Sequence, residues 1–308
     1  MADDGLIALV TGASRGIGLE VARGLLARGM TVCGIARRPP EPPAARAGLE
    51  ALQFVPADLS SMDSVRQLAV RVEAMFPRLD LLVHNAAIVD LERVMTVDGF
   101  ERQFAVNHLA VYLLTQRLLP MLQRRSGARI VVTASQVEAG AQLDLDDLMP
   151  SRNYQPERVY ARTKLANVLF TYQLAKRLDP GAITVNCLHP GVIRTTLLDN
   201  LLQAQQQRTR LAQSAAQRAL VSARTAVGRT LRALKLRPPV REWALNTAEG
   251  AATTLFVATD PGIARVTGQY FSEGRVAQSS AQSRDPALQR RLWDASASLL
   301  QMSPEWPT

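Results

Sequence analysis

The sequence predicts an α/β protein: a single doubly wound parallel sheet with helices on both of its faces. Three observations predict it. Short β-like runs alternate with longer helical patterns along most of the chain, the rhythm of βαβ units. Runs such as RIVV (129–132) and LLV (81–83) are nearly continuous in apolar residues, as strands covered on both sides must be. No internal repeat and no separating linker appears, so residues 1–308 read as one domain.

The elements follow in order. LIALV (6–10) reads as the first strand, TGASRGIG as a turn, and LEVARGLLARG as an amphipathic helix closed by Gly29. TVCGIA (31–36) is a second strand, followed by the break PPEPP (39–43) and then by LQFVPADLS. SVRQLAVRVEAMF has helical spacing, LDLLVHN (79–85) is strand-like, and VDGFERQFAVNHLAVYLLTQRLLPML carries a long helical pattern. ARIVVTAS (128–135) is a strand, RVYARTKLANVLF (158–170) a helix, and AITVNCLHPG (182–191) a strand running into a Pro-Gly turn. The last long apolar run is AATTLFVA.

The turn Gly12-Ala13-Ser14-Arg15-Gly16-Ile17-Gly18 sits where a phosphate-binding loop belongs, after the first strand and at the start of the first helix. Gly12 and Gly16 permit a tight turn and close backbone approach, and Gly18 lets helix pack on strand. The helix N-terminus then offers free N–H groups and a positive dipole to a pyrophosphate. An NAD site would place a carboxylate about 20 residues after such a motif to hold the ribose 2′-OH. Here the second strand ends in Arg37-Arg38, and Arg15 lies in the loop itself. Cations there suit a 2′-phosphate, so the expected cofactor is NADP(H).

Tyr160 and Lys164 are four apart on a helix, one above the other on the same face. A cation beside a phenol favours phenolate and is expected to lower its pKa from about 10. A tyrosine tuned in this way exchanges protons in catalysis. Other residues support blander readings. Cys33 and Cys187 lie in apolar runs and read as buried free thiols of a reducing compartment. The three histidines are scattered and no metal site is expected. Asp144, Asp146 and Asp147 read as a solvated loop, and His189 as a packing or backbone contact.

The opening MADDGLIALV lacks the basic start and long apolar core of a signal peptide, and no run reaches the length of a membrane span. A cytoplasmic protein is expected. The net charge of +9 is local: residues 200–241 hold eight arginines, Lys235 and no acid, so the rest of the chain sums to zero. Nucleic acid is therefore not an expected partner. Residues 197–245 read instead as a basic helical lid over the substrate cleft. Leu220, Val227, Leu231 and Leu234 fall on one face of it, and Arg218, Arg229 and Arg232 on the other. The cationic face is open to an acidic partner, an anionic surface or an anionic substrate.

TGxxxGxG, an aspartate in ADLS, an Asn-Ala strand end, VNH, a serine closing a strand, YxxxK and a Pro-Gly turn occur in that order. This ordered set resembles the short-chain dehydrogenases/reductases. DGFERQFAVNHLAVYLLT, YARTKLANVLF, LHPGVIRT and VTGQYFSEGR resemble their retinol dehydrogenase-like branch over roughly residues 6–200 and 246–300. The resemblance implies a Rossmann-type fold and hydride exchange between NADP(H) and the carbonyl or alcohol of a bulky, mostly apolar substrate. It implies Tyr160 as general acid/base, with Lys164 depressing its pKa and bonding the nicotinamide ribose. Ser135 would orient the substrate oxygen, and Asn107 would hold a water for proton relay. Asp58, with Leu59, would contact the adenine. Asn85 and Ala86 would line the cofactor strand, and Pro190, Gly191, Val192 and Thr195 would cover the nicotinamide. Alternatives carried with this reading are a tailoring ketoreductase and a catalytically silent NADP(H)-binding regulatory protein; a homodimer is a further expectation. One departure stands out: Ala87 occupies a position where the family usually has glycine.

Overall fold

The computed structural model describes residues 5–40, 48–151, 153–211 and 244–305, the side chains of 207–211 excepted. Its sheet has the strand order β3-β2-β1-β4-β5-β6-β7-β8. The strands are β1 (Ile7–Thr11), β2 (Thr31–Ala36), β3 (Gln53–Pro56), β4 (Leu81–His84), β5 (Ala128–Thr133), β6 (Ile183–His189), β7 (Tyr270–Ser272) and β8 (Arg275–Ala277). All neighbouring pairs are parallel except β7 with β8. That last pair is a hairpin turned by Glu273-Gly274, both at positive φ, the geometry that matches the twist of adjacent strands.

The helices are α1 (Gly16–Leu26), α2 (Met62–Met75), the single turn α3 (Arg102–Phe104), α4 (Ala110–Leu122), α5 (Pro156–Ala175), α6 (Thr196–Leu211), α7 (Thr247–Thr259) and α8 (Pro286–Leu299). Two apolar cores flank the sheet. One gathers Leu68, Leu114, Leu169 and Trp293 from α2, α4, α5 and α8. The other gathers Leu19, Leu25, Ala251 and Val257 from α1 and α7. The doubly wound arrangement expected from strand hydrophobicity is therefore present. Helix α1 ends as the sequence indicates: Gly29 N–H donates to Leu26 C=O, and Met30 N–H reaches back to Leu25 C=O.

The long pattern before β5 is not one uniform helix. Glu101 caps α3 through the N–H groups of Gln103 and Phe104, and residues Ala105–Leu109 then widen into a π turn before α4 begins. Such a turn inserts one residue into the helical register and is common at functional sites. Asn107 and His108 both lie in it. The basic segment is described only at its two ends. Its amphipathic stretch, with Leu220, Val227, Leu231, Leu234, Arg218, Arg229 and Arg232, lies outside the described residues.

Two histidines brace α4 and the π turn. His84 Nε2 lies 2.8 Å from Thr115 Oγ1, whose own hydrogen is donated to Val111 C=O, so the imidazole is the donor. His108 Nε2 donates in the same way to Ser296 of α8, which donates to Leu292 C=O. Burial lowers His84 to about 3 and His108 to about 4. With folded values below the unfolded 6.5, the unfolded chain takes up protons first as pH falls. Stability present above pH 6.5 should therefore be lost progressively towards pH 3. We expect the urea midpoint to drop through this window. His84→Gln, which keeps a donor for Thr115, should flatten the drop; an unchanged slope would remove His84 from the acid response.

Candidate active site

The strand order reverses between β1 and β4, and the crevice outside their carboxyl ends is where ligands settle in open α/β sheets. Thr11 and Asn85 fasten this point. Thr11 Oγ1 accepts from the N–H groups of Asn85 and Ala86 at 3.0 and 3.1 Å, while Asn85 Nδ2 donates to Thr11 C=O at 3.1 Å. The amide of Asn85 thus serves as a brace between strands. The glycine loop packs directly on it. A Cβ on Gly12 would stand 3.0 Å from Ala86 Cα, and one on Gly18 would collide with Asn85 Nδ2 and the carbonyl of Gly12.

Above this cradle the first turn of α1 carries no acidic residue, and its N-cap, Arg15, makes no side-chain capping bond. The terminal N–H groups of the helix have no capping side chain, as a pyrophosphate site requires. Ser14 and Ile17 are half-buried in the same turn, and Thr195 faces Gly16 from the far side. Arg37 and Arg38 are exposed beyond the end of β2. Asp58 and Leu59 follow β3; the Asp58 carboxylate accepts from Ser60 N–H at 2.9 Å and Ser60 Oγ at 2.7 Å, which fixes its loop. These residues fit a dinucleotide in shape and in donor set. Ala87, the departure from the family pattern, has no positive φ, since Asn153, Glu273 and Gln301 are the non-glycine residues that do among those described. Its methyl group imposes no backbone strain.

The reacting end is formed by β5, the π turn and α5. Lys164 is 1% exposed, and its ammonium donates to Thr133 C=O at 2.8 Å and lies 5.6 Å from the centre of the Tyr160 ring. Tyr160 is 5% exposed, and the Ser135 side chain lies close enough to act on its phenol. Burial pushes this phenol above its ordinary value, against the lowering pull of Ser135, and burial lowers Lys164 to about 7. The expectation of a phenol lowered by its neighbour is therefore reversed in this protein. Desolvation sets the direction, and the same burial discourages Lys164 from carrying charge.

Asn107 is fully buried and committed to the fold around it. Its Oδ1 accepts from Ile88 N–H at 2.9 Å, and its Nδ2 donates to Ile88 C=O and Thr163 Oγ1. Thr163 in turn donates to the carbonyl of Tyr160. Its side chain thus joins the loop after β4 to the helix carrying Tyr160. His189 behaves as a backbone contact: its Nδ1 accepts from Gln136 N–H at 3.2 Å.

Pro190 and Gly191 follow β6, and the segment after them is closed by a returning strand of chain. Leu245 N–H donates to Val192 C=O, Arg194 N–H donates to Leu245 C=O, and Ile193 bridges Leu245 in parallel. Helix α6 leaves from this point, held to the loop after β4 by Asn200 Nδ2 on Val89 C=O. Thr133, Thr163 and Leu245 carry no motif signal, since each acts largely through backbone atoms or a short hydroxyl. Among the described residues no cluster of ligands suits a metal ion, and no helix is long and apolar enough to cross a membrane.

This geometry has counterparts in known proteins. The model of the short chain dehydrogenase family matches residues 6–206. The chain belongs to that family. Within it the relatives are retinol dehydrogenase-like. Human retinol dehydrogenase 14 is 33% identical over 95% of this chain and 85% of its own length. Zebrafish polyprenol dehydrogenase is 33% identical over 96% of this chain and 87% of its own. Among solved structures, an uncharacterized protein from Mycobacterium paratuberculosis superposes with a TM-score of 0.70 at 26% identity, covering 99% of this chain and 96% of that one. Family members exchange hydride through a nicotinamide cofactor, and this short-chain dehydrogenase/reductase carries the cradle for one.

Proposed function

We propose that this short-chain dehydrogenase/reductase is an NADP(H)-dependent oxidoreductase acting on the carbonyl or alcohol group of a bulky, mostly apolar substrate. The observation that carries the reading is the Ser135–Tyr160–Lys164 arrangement on β5 and α5. When bound, the nicotinamide supplies or takes the hydride. In reduction, the Tyr160 hydroxyl gives its proton to the carbonyl oxygen as the hydride reaches carbon, and Ser135 Oγ donates to the same oxygen. A phenol held above its ordinary value by burial stays protonated and suits the acid's part. Lys164, fixed by Thr133, stands beside the ring to offset the phenolate that remains. Asn107 keeps the segments bearing these groups in register through Ile88 and Thr163.

An apolar substrate is supported by the surroundings and by the relatives. Val137, two residues past Ser135, is 41% exposed, and Leu197, Leu198, Leu201 and Leu202 of α6 are only partly buried. The relatives' names specify retinol and polyprenol, both long apolar alcohols. Preference for NADP(H) is supported by Arg37 and Arg38, exposed just beyond the end of β2, whose guanidinium groups suit a 2′-phosphate.

The test is a panel of apolar aldehydes, ketones and alcohols, retinal and retinol included, run with both reduced and both oxidised cofactors. Turnover with NADPH or NADP⁺ at least about tenfold better than with NADH or NAD⁺ is expected, a discrimination worth about 1.4 kcal/mol. Arg37→Asp should remove that preference. Unchanged discrimination in Arg37→Asp and in the Arg37→Asp/Arg38→Asp double variant would assign 2′-phosphate recognition elsewhere. Absence of turnover across the panel would overturn the oxidoreductase reading.

A further inference from the structure

Ser135 is the last residue before a 3-10 turn, Gln136–Gly140, and that turn hangs on a buried carboxylate. Glu138 is 2% exposed, and its N–H donates to Ser135 C=O at 3.1 Å. Both of its oxygens are engaged by one residue far away in sequence. Oε1 accepts from Ser280 N–H at 2.8 Å, and Oε2 accepts from Ser280 Oγ at 2.6 Å. A carboxylate with both oxygens held is a rigid anchor, because charge-assisted bonds are short and directional.

The far end of the anchor is itself fixed. Ser280 sits between β8 and α8, where Ser283 N–H donates to Ser280 Oγ, and Ser283 Oγ donates to Ser280 C=O at 2.8 Å and so accepts from Ser279 Oγ at 2.7 Å. Tyr172 of α5 pairs with Ser279 at 2.6 Å, and Gln289 of α8 donates to Ser283 C=O. The tie thus runs from the Ser135 turn through Glu138 into a serine cluster, and back to the helix that carries Tyr160. Cys187, Tyr172 and Tyr270 lie near Glu138; burial above all holds their protons in place, with the Glu138 charge a smaller contribution in the same direction. On its other flank the turn is held by Gln136 N–H on His189.

We propose that Glu138 is a positioning residue: through Ser280 it holds Ser135 at the distance from Tyr160 that proton transfer requires. The proposal rests on Ser135 and Tyr160 acting as described above. A carboxyl group at this position matters because the turn is otherwise exposed at Gln136, Val137, Ala139 and Gly140. Without the anchor, the turn after Ser135 keeps the Gln136–His189 contact and its own backbone bonds but loses its side-chain tie to Ser280. Misplacement of a catalytic hydroxyl by about 1 Å costs up to a hundredfold in rate.

The experiment compares Glu138→Ala, Glu138→Gln, Ser280→Ala, Ser135→Ala and the Ser135→Ala/Glu138→Ala pair, with an apolar alcohol and NADP⁺. Glu138→Ala should lower kcat by roughly tenfold to a hundredfold while leaving the cofactor KM in place. Its kcat profile should move to higher pH, since a displaced Ser135 no longer lowers the Tyr160 phenol as far. Glu138→Gln, which keeps an acceptor for the N–H and a donor for Oγ, should recover most of the rate, and Ser280→Ala should fall between. On the Ser135→Ala background the second substitution should cost nothing further, as expected of residues acting as one unit. A lower melting temperature with unchanged kcat and pH profile would overturn the proposal, as would full additivity of the pair. If Glu138→Ala does not fold, Glu138→Gln and Ser280→Ala decide by the same readouts. Retained turnover in Ser135→Ala and Tyr160→Phe would instead sink the catalytic reading itself, which separates the two failures.

Discussion

Tyr160→Phe is expected to lower turnover by at least about a hundredfold, the lower end of what a positioned acid or base contributes. The substitution removes one oxygen and preserves the ring that lies over Lys164. The Lys164 bond to Thr133 C=O does not involve the phenol, so the floor of the site should stay intact. Cofactor affinity, measured by fluorescence titration with NADPH, should therefore be within a few-fold of wild type. Activity and binding should separate cleanly. A Phe variant that turns over at near-normal rate would show that some other group, or solvent, delivers the proton.

The second large effect belongs to Gly18. An alanine there would drive its methyl group into Asn85 Nδ2 and the Gly12 carbonyl, neither of which can retreat easily. Asn85 is bonded to Thr11 C=O, and Gly12 N–H is bonded to Ile35 C=O at 2.7 Å. Helix α1 would have to lift from the sheet, a form of overpacking that costs about 1–3 kcal/mol. Gly18→Ala should lower the melting temperature by several degrees and weaken cofactor binding by roughly tenfold, since the helix terminus and the loop move together. Gly48→Ala supplies a contrast in thermal stability, because nothing lies within 4 Å of the atom it would add, although its φ of +74° carries its own strain. Equal melting temperatures and affinities for wild type and Gly18→Ala would mean the cradle tolerates displacement.

The parts of this molecule that were legible in sequence are those that depend on one residue type at one place. TGASRGIG could be read because only glycine admits a backbone or ligand so closely, and TVCGIA because a strand buried on both faces must be apolar throughout. The Tyr160–Lys164 neighbourhood followed from helical spacing alone. The sign of the phenol's shift did not, because it is set by how deeply α5 sinks against β5, a property of packing. Asn107 was visible as a motif member, yet its engagement with Ile88 depends on a π turn, which leaves no compositional mark. Glu138 carries no local signal for the same kind of reason: its partner Ser280 is 142 residues away. The antiparallel β7–β8 ending also escaped notice, since three-residue strands carry too short a pattern.

The pairing of Ile193 with Leu245 bears on how such a chain acquires new substrates. It fastens the two ends of everything between α6 and α7, while the capping box of Asn246 and Glu249 restarts the helical order immediately beyond. Such a fastening brings residues 193 and 245 together, so the chain between them departs and returns at one place. Entropy charges such an excursion only slowly for extra length, at about 0.6 kcal/mol for each doubling. Changes of chain length after α6 and before Leu245 should therefore cost little, provided that Thr195 and Asn200 keep their contacts with the glycine loop and the loop after β4.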